Sequence, residues 1–360
     1  MSTKAYITGT GSFLPENVIT NETLAHTLAI EPERIFKSSG IRSRHWADDA
    51  TATSSLAVAA LLAALEDARI APADLDYLLC GTMTPDRFVP GSGAAIQKAA
   101  DLREIPCLDI RAACCNALYA LQVARALVVS GAARNVAICL AEIQSRYLDL
   151  NPEAATTSML FGDGAAALIV SAEPRAGSLE VLDVLLATDG SFVDDLGVRC
   201  PGTAFQIQRG TGVPPVSEDQ RGTGVPPVNE DRGGTGVPPV SASRQDWFPR
   251  MNGQSVILQA SRRMVAASRS VLERNQLAAS AIRWIVPHQA NANLLAQVAR
   301  GLGTQAEVVS VIEETGNTSS ASMGIALDTL RRSQKVESGD YLLLPAFAAG
   351  FTWGAALCRA

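Results

Sequence analysis

Three short stretches carry residue types capable of covalent chemistry: the cysteines of "CLDIRAACCNALYALQVA", the histidine of "WIVPHQANANLL" and the asparagine of "EETGNTSSASMGIAL". Cys114 and Cys115 follow an apolar run of strand length and open an apolar helix. A thiol there faces the N–H groups and the positive end of the helix dipole, which favour thiolate. Free cysteine is also among the most buried residue types, and on this stretch alone a core role is the simpler reading. His288 stands just after Pro287, where an apolar strand gives way to a helix, the same setting as Cys114. In α/β sheets ligands gather at such carboxyl ends. Asn317 sits in a Gly-Asn-Thr turn before a helix, and alone reads as a turn residue followed by capping serines. A nucleophile with two hydrogen-bonding partners suits covalent catalysis, provided the fold brings three distant segments together.

The chain available to do so has 360 residues, 47% hydrophobic and 18% charged. That is ample for a large core and suggests two domains or one duplicated domain. Apolar strands alternate with Ala-rich helices. "KAYITGTGSFLP", "DYLLCGTM", "IPCLDIRAA", "NVAICLAEI" and "GAAALIVSA" read as strands. "SSLAVAALLAALEDARI" and "NALYALQVARALVVSG" read as helices, the second closed by Gly131. A second set runs similarly, from the strand "EVLDVLLATDGS" through the helix "SVILQASRRMVAASRSVLERNQL" and the strand "IRWIVPH" to the paired strands "DYLLLPAF" and "TWGAALCRA". Strands apolar throughout, with helices between them, indicate sheets covered on both faces. The expectation is a duplicated α/β architecture, with halves at 1–173 and 174–360.

Composition narrows the function. A net charge of −6 gives no basic face for nucleic acid or anionic lipid. The first residues lack the apolar centre of a signal peptide, and "ALYALQVARALVV" is too short, and interrupted by Arg125, to span a bilayer. Seven cysteines, mostly in apolar segments, read as reduced thiols of a cytoplasmic protein. No metal site is expected, since CxxC is absent and only His26, His45 and His288 are available.

One stretch breaks the pattern. A twelve-residue unit opens at Arg209, Arg221 and Gly233, giving three copies of "GTGVPPV" inside the second half. Its Gly-Thr-Gly and Pro-Pro steps prevent a regular helix or central strand, and its copies cannot form a core. The segment 207–244 reads as an insertion in a surface loop, a change that costs little loop-closure entropy. Excising residues 208–243 with a short linker is expected to leave folding and acylation of Cys114 unchanged. Loss of soluble protein on excision would show that the insertion is structural.

Taken together, "DIRAACCNALYAL", "VPHQAN", "GNTSSAS" and "AFAAGFTWGAAL" resemble the signatures of β-ketoacyl-ACP synthase III, within the thiolase superfamily. "GTGSFLPENVITN", "SGIRSRH" and "FGDGAAALIV" fit the same family at matching places. The likeness covers nearly all of the chain and stops at the repeat. It implies a five-layered αβαβα thiolase-like fold, a homodimer, and a Cys114, His288, Asn317 site. Cys114 would take an acyl group from a thioester. His288 and Asn317 would assist loss of CO2 from malonyl-ACP, and the carbanion would attack acyl-Cys114. The amides of Cys114 and Ala349 would form an oxyanion hole, with Ala349 where the family has glycine. The resemblance further implies that Phe347 shields the site from water, and that Asn291 and Gln254 contact substrate. Val89 would line the acyl pocket of the partner subunit where a bulkier Phe is common, admitting a longer or branched chain. Arg300, with Arg262 and Arg263 as helix neighbours, would receive the acyl carrier protein. No cofactor is implied, coenzyme A or carrier phosphopantetheine thioesters being the substrates.

The sequence also departs from that family. Where coenzyme A is gripped by a Trp and two Arg, this chain has Arg34, Ser38 and Ala155. Losing a stacking face and two phosphate partners weakens nucleotide binding and favours an acyl group delivered on carrier protein. Asn116 and Ala117 also replace the residues common after the nucleophile. An alternative on the same scaffold is an acyltransferase that moves the acyl group from Cys114 to an alcohol or amine without condensation. A scaffold subunit that has lost its chemistry and a redox thiol protein are weaker readings, since the three residues are intact and adjacent cysteines rarely pair well.

Overall fold

A computed structural model describes residues 4–200, 202, 205–206, 240–241 and 244–360. Its main sheet has ten strands. In spatial order these are Glu307–Val308, Ile282–Ile285, Tyr341–Ala348, Thr352–Arg359, Leu179–Thr188, Tyr6–Phe13, Gly164–Ser171, Asn135–Glu142, Tyr77–Gly81 and Cys107–Ile110. Counting outward from the centre, each half places its own strands in the order first, fifth, fourth, second, third. The pattern of pairing repeats too. The second strand of each half runs parallel to the third and fourth, and the fifth runs antiparallel to the fourth and first. The halves join where Tyr6 faces Glu180 and Ile7 faces Leu179.

Helices form three layers around these halves. Asn116–Val129 and Ser322–Arg332 lie in the middle, where Leu118, Leu121, Ala326 and Leu327 share one core with residues from both halves of the sheet. Thr53–Ala68 covers the outer face of the first half and Gly253–Arg274 that of the second. The architecture is therefore the αβαβα arrangement of the thiolase fold. Composition explains the closeness of the layers. A Cβ added at Gly9 would lie 2.4 Å from the carbonyl oxygen of Ala64, and one at Gly11 2.3 Å from that of Ala60. Only glycine facing alanine lets this strand and helix approach so nearly, so the alanine richness is a packing requirement. The strand Gly164–Ser171 is buried at every position, as expected for a sheet covered on both faces.

Gly131 closes its helix in the left-handed conformation, at φ 77°. The short helices Asn21–Leu28 and Pro32–Ser39 were not expected from periodicity, since neither is long enough for the pattern to stand out. The expected repeat insertion falls almost wholly outside the described residues; at its flanks, Phe205–Gln206 and Val240–Ser241 pair in parallel. Among the described residues no helix is long and apolar enough to cross a membrane.

Candidate active site

Cys114, the expected nucleophile, stands at a strained bend. After the strand Cys107–Ile110, Ala113 adopts φ 48°, a left-handed conformation that costs a residue with a Cβ about 1–3 kcal/mol. Cys114 follows within the turn Ala113–Cys115, which leads into Asn116–Val129. Asn116 braces the bend, its Oδ1 accepting the Ala112 N–H at 2.6 Å. Cys114 keeps part of its surface open, whereas Cys115 is fully buried and its thiol donates to the Thr352 carbonyl at 3.5 Å. The adjacent cysteines thus face different surroundings, and Cys115 is a core residue.

His288 and Asn317 are linked to Cys114 through the turn Ser319–Ala321 and Ser322, which opens the helix after it. The Cys114 Sγ lies 3.6 Å from the Ser319 Oγ. The Ser319 N–H donates to Asn317 Oδ1 at 2.9 Å, and among the described residues the Asn317 Nδ2 has no hydrogen-bond partner. His288 Nδ1 lies 2.6 Å from the Ser322 Oγ, and that oxygen accepts the Gln289 N–H at 3.2 Å. The Ser322 hydroxyl can donate to Nδ1 while it accepts the Gln289 N–H, and in that arrangement neutral His288 carries its ring proton on Nε2. That tautomer gives the site two side-chain N–H donors. His288 is 2% exposed and Asn317 6%. The glycine before Asn317 is required: Gly316 has φ 63°, and a Cβ there would lie 3.0 Å from Arg44 Cβ and from the Leu160 carbonyl oxygen.

Electrostatics corrects one expectation. Burial pushes the Cys114 thiol up to about 11; the Ser319 hydrogen bond works against that shift, and the charge of Glu142 adds to it. Desolvation of an anion here outweighs the pull of the helix start, so the resting group is a thiol and not the expected thiolate. Burial also lowers His288 to about 4, so the imidazole is neutral at pH 7. A neutral thiol and a neutral imidazole are the forms that burial tolerates.

The lowered value has a consequence for stability. A base whose folded pKa lies below its unfolded one contributes stability that is whole above about pH 6.5 and is lost as the pH falls toward 4. The loss is on the order of 3 kcal/mol. His288→Gln should therefore flatten the fall in thermal midpoint between pH 7 and pH 4.5. Parallel curves for variant and parent would contradict this.

The other expected residues divide. Ala349 lies in the turn between Tyr341–Ala348 and Thr352–Arg359, and the first of these strands packs on the Ala113–Cys115 turn. Phe347 is buried, but its ring meets Phe351, at 4.7 Å between centroids, within the outer core under Gly253–Arg274. Its neighbours Ala346 and Ala348 face the middle layer instead, as alternation along a strand requires. Asn291 caps the helix Ala292–Leu302 through Oδ1, and its Nδ2 donates to the Ser38 carbonyl at 2.8 Å, so both ends of its amide are already engaged. Gln254 stands in the first turn of Gly253–Arg274, and its side chain lies outside the described residues. Val89 is 76% exposed and beside Phe88, on the loop between Tyr77–Gly81 and the helix Gly93–Ala99. Arg34 and Ser38 are exposed on one short helix, and Ala155 is buried.

Arg263 requires correction. It is ion-paired with Asp189 at 2.7 Å and lies 4.0 Å from the centroid of the Trp353 ring, so its charge is held against its own fold. Arg262 and Arg300 remain exposed, on helices that pack together. Sequence reasoning missed Ser319 and Ser322 as the residues that gather the site, reading the serines only as caps. It also missed Glu142, a fully buried carboxylate ending the strand Asn135–Glu142. An acid closing the apolar run "NVAICLAE" was the available signal.

With this geometry in hand, comparison with known proteins is informative. Residues 108–190 match the family model described as 3-oxoacyl-[acyl-carrier-protein (ACP)] synthase III, and residues 272–360 match its C-terminal counterpart. The chain is 34% identical over 361 residues to β-ketoacyl-[acyl-carrier-protein] synthase III of Oleidesulfovibrio alaskensis, covering 100% of both. It is 36% identical over 368 residues to the protein of the same name in Xylella fastidiosa, again covering 100% of both. Among solved structures, 3-oxoacyl-[acyl-carrier-protein] synthase III from Aquifex aeolicus VF5 aligns with a TM-score of 0.82 at 29% identity, covering 99% of this chain and 100% of that one. The priming β-ketosynthase of the R1128 polyketide pathway aligns at 0.81 and 28%, covering 99% and 96%. A resemblance first carried by a handful of short motifs thus extends over the whole chain, and the protein belongs to the β-ketoacyl-ACP synthase III family.

Proposed function

We propose that this protein condenses a Cys114-bound acyl group with a malonyl thioester, releasing CO2 and forming a β-ketoacyl product. Cys114 Sγ attacks the carbonyl of an incoming acyl thioester, and the departing thiol takes up the proton that the cysteine loses. A soft sulfur nucleophile suits a thioester carbonyl, and the N–H groups of Cys114 and Ala349 receive the oxyanion. A malonyl thioester then binds. His288 Nε2–H and Asn317 Nδ2–H donate to its thioester carbonyl while CO2 leaves and enolate charge develops on that oxygen. The carbanion attacks acyl-Cys114, the C–C bond forms, and the sulfur leaves as thiolate and takes its proton from water. Neutral donors suit this step better than a strong base, because no proton is removed and negative charge reaches that oxygen only as CO2 leaves.

What supports this reading is the linking of a thiol, an imidazole and a carboxamide through the turn Ser319–Ala321 and the adjoining Ser322. The alternative acyltransferase would have no need of two N–H donors aimed at a second carbonyl. Carrier-borne acyl groups are the proposed donors, because Arg34, Ser38 and Ala155 stand in place of the Trp and two Arg that grip coenzyme A in the family, and the pathway is fatty acid or polyketide synthesis. The proposed docking face for the acidic carrier comprises Arg262 and Arg300. We also place the protein in the cytoplasm as a homodimer, with the exposed Phe88 and Val89 loop entering the partner's acyl pocket. The deciding experiment is intact-mass spectrometry after incubation with acyl-coenzyme A and acyl-carrier thioesters, followed by measurement of CO2 release from malonyl-carrier. Acylation without CO2 release would favour the acyltransferase; no mass shift with any donor would remove the proposal.

A further inference from the structure

Glu142 is the one buried acid that the proposed steps leave unused although it influences the nucleophile. It is 0% exposed at the end of Asn135–Glu142, and that strand packs on the Ser319–Ala321 turn. Its carboxylate accepts the Met83 N–H at 3.2 Å on each oxygen, the Thr84 hydroxyl at 3.0 Å and the Gln144 amide at 3.1 Å. The Ser320 hydroxyl gives its one proton to the Gly81 carbonyl at 3.2 Å, two residues before the Met83 whose N–H Glu142 accepts, so the carboxylate reaches the turn through the Gly81–Met83 backbone. Ser320 sits between the serine touching Cys114 and the one touching His288. Among the described residues no cation pairs with this carboxylate. Burying an acid without a cation is costly, and here neutral donors alone meet it.

We propose that Glu142 is a positioning residue for the condensation step: from the first half of the sheet it holds the turn that gathers Cys114, His288 and Asn317, and it sets a negative charge within electrostatic reach of Cys114. The inference rests on the function proposed above. The titratable groups around Glu142 are Cys114 across the turn, Cys80 on the neighbouring strand, Cys139 on its own strand, Asp86 beyond Thr84, and Asp163 beside the Gly164 that it faces. Burial raises the Glu142 carboxyl to about 7, against the opposing pull of its donors, so its charge changes across neutral pH.

Glu142→Gln tests the proposal, because an amide keeps the shape but turns one acceptor into a donor facing other donors. CO2 release from malonyl-carrier should fall about tenfold or more as the two N–H donors lose alignment. Cys114 should meanwhile be alkylated by iodoacetamide at lower pH, its midpoint moving down by about half a unit as a like charge is removed. Ser320→Ala, which disturbs only the link, should lower CO2 release without moving that midpoint. CO2 release within about twofold of the parent, with an unmoved midpoint, overturns the proposal. So does a loss of all activities in step with a loss of folded protein when Ser320→Ala is unchanged. Should the parent itself release no CO2, the condensation reading fails separately. The alkylation midpoint then decides for Glu142 alone: a downward shift sustains its electrostatic part, and no shift overturns the whole.

Discussion

Cys114→Ala is expected to abolish acyl-enzyme formation, with the mass shift on incubation with acyl thioesters falling at least about a thousandfold in rate. The variant should fold. Cys114 keeps part of its surface open, and its neighbours lose one 3.6 Å contact to Ser319, so the stability change should be about 1 kcal/mol or less. Cys114→Ser should be nearly as inactive, because a hydroxyl in a site that already opposes thiolate is a far weaker nucleophile. Cys115→Ser serves as the control. Its hydroxyl can keep the bond to the Thr352 carbonyl, and it faces away from the acylated sulfur. Acylation persisting in Cys114→Ala, or lost in Cys115→Ser with folding intact, would place the nucleophile elsewhere.

The second large effect separates the two half-reactions. Asn317→Asp should lower CO2 release from malonyl-carrier by about 10²–10³-fold, equivalent to about 2.7–4 kcal/mol of transition-state stabilisation. Acylation of Cys114 should change only a few-fold. The substitution is chosen for what it preserves: Asp can still accept the Ser319 N–H now held at 2.9 Å, so the turn remains supported. What it removes is the Nδ2 donor, replaced by an oxygen that repels a developing enolate. Asn317→Ala confounds the two effects, since it also strands a buried N–H at a cost of about 1–3 kcal/mol. Equal losses in acylation and decarboxylation in the Asp variant would mean that Asn317 acts on the site's geometry and not on the enolate.

Much of the fold was legible in the chain. Strands such as "GAAALIVSA" are apolar at every position because both of their faces are covered, and helices such as "SSLAVAALLAALEDA" are rich in alanine because Gly9 and Gly11 press against them. The short helices near Pro32 escaped detection because two turns hold too few positions for periodicity to speak. The pocket residues fared unevenly. Phe347 and Arg263 illustrate why: the type and spacing of each match a role, but the direction of a side chain depends on neighbours far away in sequence. For Arg263 those neighbours are Asp189 and Trp353, which claim its guanidinium. The same limit hid Glu142, whose donors come from the loop after Tyr77–Gly81 and from the turn that follows its own strand.

The sequence by itself determined the chemistry available: a thiol at a helix start, an imidazole after a strand, a carboxamide in a Gly-Asn turn, and two similar halves to carry them. These are local properties, set by residue type, by period and by the glycines that permit each bend. Only the tertiary structure decided the protonation states and the meeting point. Burial, not the helix start, sets the thiol near 11 and the imidazole near 4, because desolvation depends on everything packed around a group. And the meeting point is a turn of serines whose hydroxyls join residues about 30 to 200 positions apart, a relation no local pattern can express.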